Sequence, residues 1–360
     1  MSSKVLFSSV KYEKYAADMT LPARFGRIID RMGMEEAVKD KLTVIKMHLG
    51  RGIGYSTIHP LFARILLDKL KSFGAKVYIT DQDIRGARDR GYTEEYLGVP
   101  VVCACGVTGK YYYEKNVRFK SFANVDVAGN IHDAEVLIDF SHVKGHGFCG
   151  FGGACKNIAM GCVTDRTRQQ IHGLVGRLVW KSKLCTHCNS CIESCNHKAN
   201  LFNEKGEYEV NEHDCTLCQH CVKVCPVSAI IMDANKYDDF QKGLALCTEQ
   251  VLRGFKPGHV FYINFLTNIT AMCDCWGFTT PSMVPDIGIL ASHDVVAIER
   301  ASLDAIKVED LILSGIPTGW ELQKEGHLFE RLHGRSPFLQ LDELEKIGLG
   351  SQQYFIEEVL

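Results

Sequence analysis

Residues 42–80 read LTVIKMHLGRGIGYSTIHPLFARILLDKLKSFGAKVYIT. The segment opens with a β-branched, apolar run at 42–49, which is typical of a buried strand. Residues 60–73 then carry apolar side chains at helical spacing, with a proline at the start and Gly74 after the end. A second β-branched run follows at 76–80. The segment therefore predicts a strand, a helix and a second strand.

The same alternation continues along the chain. It predicts further strands at 134–140, 259–266 and 287–290 and further helices at 238–253 and 294–306. Strands that alternate with helices form a mostly parallel sheet with helices on both faces. We therefore expect an α/β fold.

The composition is that of an ordinary globular protein. Of the 360 residues, 46% are hydrophobic and 23% are charged. Lysine and arginine number 41 and aspartate and glutamate 43, so no bulk basic field favours nucleic acid. The apolar runs are far shorter than the roughly 20 residues that cross a bilayer, and the first residues lack a signal-peptide core. We expect a cytoplasmic protein without nucleic-acid or membrane partners, in an oligomeric state that the sequence leaves open.

Eight of the sixteen cysteines form two equal runs. Each run reads C-x2-C-x2-C-x3-C, which is the spacing of bacterial ferredoxins with two [4Fe–4S] clusters. In that arrangement the fourth cysteine of each run ligates the cluster of the other run. The expected ligand sets are Cys185, Cys188, Cys191 and Cys225 for one cluster and Cys215, Cys218, Cys221 and Cys195 for the other.

The cysteine runs occupy only part of the chain, which indicates an insertion. We expect an α/β domain at 1–180 and 235–360, interrupted by a two-cluster ferredoxin-like domain at 181–234. Asn196 stands where such runs usually carry proline. The alternative is a pair of zinc ribbons, which need only two C-x2-C pairs in a tetrahedral set.

A second set of reactive residues follows the predicted strands of the α/β domain. Ligands of open α/β sheets bind beyond the carboxyl ends of the strands. We expect lysines there to hold an anionic group and histidines to supply protons, because histidine titrates near neutral pH. The candidate catalytic residues are Lys46, His48, His142, Lys144 and His146, with Lys156 as a further anion-binding residue.

Cysteines outside the runs differ in their surroundings. Cys273 and Cys275 follow a predicted strand, and with Cys162 they are candidate ligands of a third iron-sulfur cluster or a mononuclear metal. They are equally candidates for a redox pair or for packed thiols. Cys247 lies on an apolar helical stripe, and the Cys103–Cys105 pair lies at the end of a strand, where packing is expected.

These segments together resemble a known family. The resemblance rests on KMHLG at 46–50, KGHGFCGFGGACKNIAMGC at 144–162, the two cysteine runs, CDC at 273–275 and VPDIGILASHDVVAIERAS at 284–302. The chain is similar to the group catalogued as domain of unknown function 362, in its subgroup with an inserted two-cluster ferredoxin. The resemblance implies an iron-sulfur protein and an oxidoreductase of anaerobic metabolism, without naming a substrate.

Three functions are consistent with these patterns. The first is an iron-sulfur oxidoreductase that passes electrons through two clusters to a substrate or a third metal centre at the sheet edge. The second is an electron-transfer protein that docks to a larger redox enzyme. The third is metal or sulfur handling in cofactor assembly. The expected partners are an electron donor or acceptor protein, such as a ferredoxin or a reductase, and a small anionic substrate.

Overall fold

The structure is a computed structural model that describes residues 2–12, 14–195, 198–211, 214–215, 219–233, 236–316 and 319–360. Cys218, a predicted cluster ligand, lies outside the described residues. The strands are β1 (Ser3–Ser9), β2 (Leu42–Met47), β3 (Lys76–Asp81), β4 (Val101–Cys103), β5 (Tyr112–Phe119), β6 (Phe122–Ala128), β7 (Val136–His142), β8 (Lys144–His146), β9 (Gly150–Gly152), β10 (Leu178–Trp180), β11 (Asn200–Phe202), β12 (Tyr208–Val210), β13 (Ile230–Met232), β14 (Val260–Leu266), β15 (Gly288–Ser292) and β16 (Tyr354–Glu358).

The helices lie between these strands and after β15. They are α1 (Leu21–Arg31), α2 (Glu35–Val38), α3 (Pro60–Ser72), α4 (Glu94–Leu97), α5 (Gly129–His132), α6 (Ala154–Gly161), α7 (Asp165–Gly173), α8 (Ser190–Glu193), α9 (His220–Val224), α10 (Tyr237–Leu252), α11 (Val295–Ala305), α12 (Leu328–His333) and α13 (Leu339–Lys346). The local sequence explains where α3 begins and ends. Pro60 begins α3 and lysines occupy its last turn, where they complement the helix dipole.

One eight-stranded sheet organises the described part of the chain, in the order β16-β1-β15-β14-β7-β2-β3-β4. The neighbours from β14 to β4 are parallel, which confirms the predicted α/β fold with a mostly parallel sheet. Only β15 runs against the other strands. The loop between β14 and β15 contains no α-helix, so this connection lacks the helical crossover that parallel neighbours use.

The sheet has a hydrophobic core on each face. Successive residues of a strand point to opposite faces, so Val44 enters the core beneath α6 and α10 whereas Ile45 enters the core beneath α1 and α3. The tail beyond α11 completes the first core through Phe329 and Leu341. Its last strand, β16, pairs with β1 at one edge of the sheet. Helices on both faces are therefore confirmed.

A small region between α7 and α10 leaves the large sheet. It contains two two-stranded sheets, because β10 pairs with β13 and β11 pairs with β12. Residues 178–180 and 200–202 lie 30 positions before 208–210 and 230–232. Each half therefore contributes one strand to each small sheet.

The backbone of this region repeats at the same interval. Asn189 and Gln219 have left-handed φ values of 62° and 64° directly before α8 and α9, and Lys198 and Ser228 have values of 51° and 50°. The region is thus a pseudo-two-fold repeat, as the equal cysteine runs predict.

The predicted limits of the insert remain a prediction. β10 begins before residue 181, where the sequence analysis starts the insert, and residues 234–235 lie outside the described residues. In the described parts of the chain, no helix is both long enough and apolar enough to cross a membrane.

Candidate functional site

Polar side chains interrupt the apolar face of the sheet beneath α6. Lys46 of β2 pairs in register with Asp139 of β7, and Ser141 of β7 pairs with Asn264 of β14. All four residues are buried. Buried polar groups require partners, so these side chains indicate a polar network near the carboxyl ends of the strands.

A cavity of about 1170 Å³ opens at this carboxyl edge. It brings together all five predicted catalytic residues, the anion-binding candidate and the C-D-C cysteines. The polar and sulfur-bearing residues of its lining include Lys46, His48, Asp81, His142, Lys144, His146, Lys156, Asn157, Cys273 and Cys275. The cavity is the candidate functional site.

Lys46, Asp81 and His48 form a continuous ion-paired group. Lys46 Nζ lies 3.2 Å from Asp81 Oδ1, and His48 Nδ1 lies 3.2 Å from Asp81 Oδ2. Burial opposes ionisation of Asp81, but Lys46 and His48 hold its pKa well below the usual range. His48 Nε2 has no hydrogen-bond partner among the described residues. The carboxylate therefore orients the imidazole and leaves its second nitrogen available.

Lys46 is also bound to Asn157, which lies in the first turn of α6. Its ammonium donates to Asn157 Oδ1 at 2.5 Å, and Asn157 Nδ2 donates to Asp139 Oδ1 at 2.7 Å. A Cβ on Gly161 would lie 1.7 Å from Lys46 Cε. A glycine at that position is therefore necessary for the lysine to cross beneath α6.

Lys144 differs from the other two lysines of the cavity. It is 4% exposed and lines the cavity. Within the described residues, no hydrogen bond or ion pair reaches its ammonium group, whereas Lys46 and Lys156 both have close partners. A buried ammonium group needs hydrogen-bond acceptors. Asp274 and Cys273 interact with the charge of Lys144 but accept no hydrogen bond from it in the described structure, so Lys144 is the residue best placed to bind an anion.

His142 is constrained by the loop after β14. Its Nε2 lies 2.7 Å from Thr267 O, and its Nδ1 lies 3.7 Å from Asp274 Oδ2. Burial and the charge of Lys144 lower the pKa of His142. Because a carbonyl oxygen only accepts, Nε2 donates its proton to Thr267 O, and Nδ1 faces the carboxylate of Asp274.

Asp274 anchors the C-D-C turn. Its Oδ1 accepts hydrogen bonds from Ser56 Oγ at 2.7 Å and from Thr279 Oγ1 at 3.1 Å. Although burial opposes its ionisation, His142 and Lys144 hold its pKa well below the usual range. The aspartate between the cysteines thus points into the protein as a structural anion.

Cys273 and Cys275 share one ammonium group. Lys156 Nζ lies 3.5 Å from Cys273 Sγ and 3.6 Å from Cys275 Sγ. A hydrogen bond from Cys275 and the charge of Lys156 lower the pKa of Cys273, against the effect of burial, while the pKa of Cys275 is raised. The Lys156 ammonium group therefore favours a thiolate at Cys273.

His146 faces the inner wall of the cavity. Its Nδ1 accepts the backbone N–H of Phe148 at 3.2 Å and lies 3.3 Å from Cys149 Sγ. Burial lowers the pKa of His146 well below its usual value and raises the pKa of Cys149. Both groups are neutral, which makes His146 a weaker candidate than His48 for proton transfer.

The N-terminus of α6 is occupied by a side chain of the protein. Glu299 Oε1 accepts the Ala154 N–H at 2.5 Å and the Asn264 amide at 3.2 Å. Burial raises the pKa of Glu299 to about 8 and that of Asp139 to about 7. The glycines before α6 therefore admit Glu299, not an external anion, because a Cβ on Gly153 would lie 2.3 Å from Glu299 Oε1.

The remaining cysteines outside the runs lie mostly in the core. Cys162, predicted as a ligand beside Cys273 and Cys275, is fully buried and does not line the cavity, whereas Cys103 does. Burial raises the pKa of the Cys162 thiol. Cys247 packs in the core, as its helical stripe predicts. Within the described residues, no group of three or more histidine, cysteine or acidic side chains is arranged to hold a metal ion.

The small repeat region meets the cavity directly. The cavity lining includes Val210, Asp214 and Cys215. Arg51 forms an ion pair with Asp214, in which Nη2 lies 3.4 Å from Oδ1. At the other cysteine set, Cys185, Cys188, Cys191 and Cys225 line one small pocket. Backbone N–H groups of Ala199 and Ala229 point at Cys195 Sγ and Cys225 Sγ, each at 3.2 Å.

Sequence reasoning missed Asp81, Asn157 and Glu299. Asp81 directly follows a predicted strand, so the rule that selected His48 and His142 also applies to it. Glu299 is an acidic residue on the apolar stripe of a helix, which is a recognisable signal of a buried partner. Asn157 gave no comparable signal, because its role depends on Lys46 reaching beneath α6.

The chain is similar to one described family and to parts of known redox proteins. The family described as "Domain of unknown function (DUF362)" matches residues 43–304. A tetrathionate reductase subunit of Archaeoglobus fulgidus is 30% identical over 66 residues, which are 18% of this chain and 32% of that protein. The probable pyruvate-flavodoxin oxidoreductase of Escherichia coli is 30% identical over 74 residues, covering 13% of this chain and 6% of that protein.

The chain thus spans a third or less of these two relatives. Among solved structures, the lactate racemase apoprotein of Thermoanaerobacterium thermosaccharolyticum aligns with 68% of this chain and 49% of its own length. The sequence identity is 13% and the TM-score is 0.32.

Proposed function

This chain belongs to the DUF362 family, and from the site at the carboxyl edge of its sheet we propose that it is an iron-sulfur oxidoreductase. The small repeat region would hold two [4Fe–4S] clusters, and the cavity would bind an anionic substrate. Both curated relatives are named as a reductase or an oxidoreductase, which agrees with a redox function.

The cysteines of the repeat region support the proposal of bound clusters. Four cysteines from both halves, Cys185, Cys188, Cys191 and Cys225, surround one pocket. The repeat relates them to Cys215, Cys221 and Cys195 of the second set, together with Cys218, which lies outside the described residues. Amide groups directed at the sulfurs of Cys195 and Cys225 would stabilise thiolate charge and tune a bound cluster. When bound, such clusters supply single electrons at low potential.

One observation supports the cavity as the destination of the electrons. Cys215, a predicted ligand of the second cluster, lines the same cavity as Lys144, Cys273 and Cys275. The Arg51–Asp214 ion pair joins the loop after β2 to the repeat region at that point. The proposed donor and the proposed substrate site are therefore adjacent.

The cavity residues have distinct roles in this proposal. Lys144 binds the anionic group of the substrate, because its ammonium group has no hydrogen-bond or ion-pair partner in the described structure. His48 donates or accepts a proton at Nε2, and Asp81 holds the ring through Nδ1. Lys46 keeps Asp81 ionised. His142 and Asp274 fix the loop that carries the cysteines.

An electron-transfer partner would dock on the repeat region beside Cys188. Cys188 is exposed there. Leu184 and Val227 are 48% and 38% exposed, and Val227 lines the same pocket as Cys188. A small exposed apolar surface beside a redox centre suits a transient contact with a ferredoxin or a reductase.

The test is an anion titration of anaerobically prepared protein reduced with dithionite. Phosphate, sulfite and succinate are added separately while the electron paramagnetic resonance spectrum is recorded. At least one anion should change the spectrum saturably, and Lys144→Met should abolish the change. Lys76→Met is the matched control, because Lys76 is exposed at the amino end of β3. A cluster-containing protein that responds to no anion, or equally in the Lys144 variant, would instead favour the electron-transfer function without a substrate site.

A further inference from the structure

Cys273 and Cys275 lie on one short turn at the cavity wall. Asp274 lies in a 3-10 turn between them, a conformation that places the flanking Cα atoms about 5.5 Å apart. This separation is within the range that a disulfide spans. Hydrogen bonds from Ser56 and Thr279 hold the buried carboxylate of Asp274 in place. The turn is therefore anchored while both sulfurs face the same lysine.

The charge beside the sulfurs favours thiol chemistry over metal binding. The Lys156 ammonium group contacts both sulfurs, at 3.5 and 3.6 Å. A metal ion ligated by the pair would lie beside this buried cation, and like charges at such distances repel strongly. A thiolate is stabilised by the same ammonium group. The contact therefore suits a nucleophilic thiolate.

The cavity also supplies a binding group for a substrate. Lys144 lines it without a hydrogen-bond or ion-pair partner in the described structure, and its charge helps to ionise Cys273. Trp276 and Phe148 give the lining apolar surface close to the turn. A substrate with one anionic end and a short carbon chain would place its reactive atom near the sulfurs.

We propose that Cys273 and Cys275 form a redox-active dithiol that reduces small anionic disulfides held by Lys144. This inference rests on the proposed oxidoreductase function and names its substrate class. The Cys273 thiolate attacks one sulfur of the substrate, the substrate S–S bond breaks, and the first substrate half leaves as a thiolate. A mixed disulfide then joins Cys273 to the second half.

The second half of the reaction uses Cys275. Its thiol loses a proton to the departing thiolate or to solvent, and its sulfur attacks Cys273 Sγ. The Cys273–Cys275 disulfide forms as the second substrate half leaves as a thiolate. The substrate has gained the two electrons and the one proton that the thiolate–thiol pair has lost, and solvent supplies the proton of the other substrate half. Restoring the thiolate–thiol pair takes two electrons from a low-potential one-electron donor and one proton.

The experiment follows mixed-disulfide formation on the full-length, cluster-loaded protein by mass spectrometry. Cys275→Ser retains the attacking thiol and removes the resolving thiol, so it should trap the substrate on Cys273. Three probes of similar size are compared, namely dianionic 3,3′-dithiodipropionate, neutral bis(2-hydroxyethyl) disulfide and dicationic cystamine. Each rate is divided by the rate of the same probe with dithiothreitol, which removes differences in intrinsic reactivity.

The trapped adduct should form about tenfold faster or more with the dianion than with the dication, since one buried charge contact is worth at least about 1.4 kcal/mol. Adding Lys144→Met to the trapping variant should reduce that ratio several-fold, and the remaining preference comes from Lys156 beside the sulfurs. In the otherwise unaltered protein, oxidation by the dianionic probe should yield a Cys273–Cys275 disulfide, while the buried core thiol of Cys247 stays reduced.

Several results would overturn this inference. One is that the Cys273 thiol reacts no faster than the Cys247 thiol. Another is that the preference for the dianionic probe is the same with and without Lys144. The third is that a metal ion must be removed before Cys273 and Cys275 react. The iron content and dithionite-reduced spectrum of Cys273→Ser/Cys275→Ser separate the two proposals. If that variant keeps both clusters while the dithiol test fails, the inference fails and the cluster proposal stands. If the protein binds no clusters, the proposed function fails independently of the thiol reactivity.

Discussion

Single residues in this protein are best understood through their partners. Three lysines line one cavity, but Lys46 is bound to Asp81 and Asn157, and Lys156 is bound to two sulfurs. Lys144 alone of these three has no hydrogen-bond or ion-pair partner in the described structure. The sequence predicts all three as anion-binding residues and does not distinguish them, because each lies near the end of a predicted strand or in the glycine-rich stretch after one. Their difference depends on side chains distant in the chain.

Gly161 provides a test of how tightly Lys46 is held. A methyl group there would overlap Lys46 Cε and lie 2.8 Å from Asp81 Oδ1. We expect Gly161→Ala to lower the free energy of unfolding by about 1–3 kcal/mol, the usual cost of overpacking, and to displace the lysine. Pulse proteolysis in urea measures this free energy.

The control is the same change in the neighbouring helix α7. A Cβ on Gly173 meets no atom within 4 Å. Gly173→Ala should therefore be neutral or stabilise the protein by up to about 1 kcal/mol, because alanine favours helix. Similar losses in both variants would show that the space beneath α6 is not limiting.

Asp139 gives a pH-dependent prediction. Burial raises its pKa to about 7, whereas the unfolded chain has an ordinary aspartate pKa near 4. Between these values the native state retains a proton that the unfolded state has lost. Stability should therefore fall as pH rises from about 4 to about 8, by on the order of 2–4 kcal/mol from this residue.

Asp139→Asn should remove this contribution, because an amide does not titrate. Pulse proteolysis at several pH values on both proteins isolates the difference and cancels the effect of other groups. A variant whose stability changes with pH as steeply as that of the parent protein would contradict the assignment.

The strands of the large sheet can be predicted from the sequence, but their pairing can be predicted only in part. The strands expected at 42–49, 76–80, 134–140, 259–266 and 287–290 differ from the observed ones by at most two residues at each end. Hydrophobic runs identify a buried strand but carry no direction. The reversal of β15 and the pairing of β1 with β16 depend on contacts between distant parts of the chain.

Helix α6 is stabilised by an acid that its own sequence does not contain. Glu299 of α11 accepts the first amide of α6, and its Oε2 has no partner among the described residues. This arrangement suits a protonated carboxyl group, which agrees with its pKa of about 8. A neutral isostere should therefore replace it well.

We expect Glu299→Gln to change the unfolding free energy by less than about 1 kcal/mol, and Glu299→Ala to lower it by about 2–4 kcal/mol through a cavity and an unsatisfied amide. Thermal and urea unfolding of the two variants measure the difference. A Gln variant as unstable as the Ala variant would show that Glu299 is ionised in the native state.

The whole molecule joins the repeat region to the cavity of the α/β fold. The sequence predicts the repeat more clearly than it predicts the contact between the two. The cysteine runs have a regular spacing, and the structure gives that region a two-fold repeat. The contact between this repeat and the cavity could not be predicted, because Asp214 and Cys215 reach the site only through tertiary packing beside Arg51. That contact supports the proposed path of electrons.

The iron content per chain is the most direct measurement of whether the protein binds two [4Fe–4S] clusters. Protein prepared under anaerobic conditions should contain about eight irons, the number in two [4Fe–4S] clusters, and Cys273→Ser/Cys275→Ser should contain the same number. Replacing Cys215 with serine should reduce the content, whereas Cys247→Ser should not. About nine or twelve irons that fall to about eight in the double variant would instead identify Cys273 and Cys275 as ligands of a third centre. Four irons or fewer in the unaltered protein would contradict the two-cluster account.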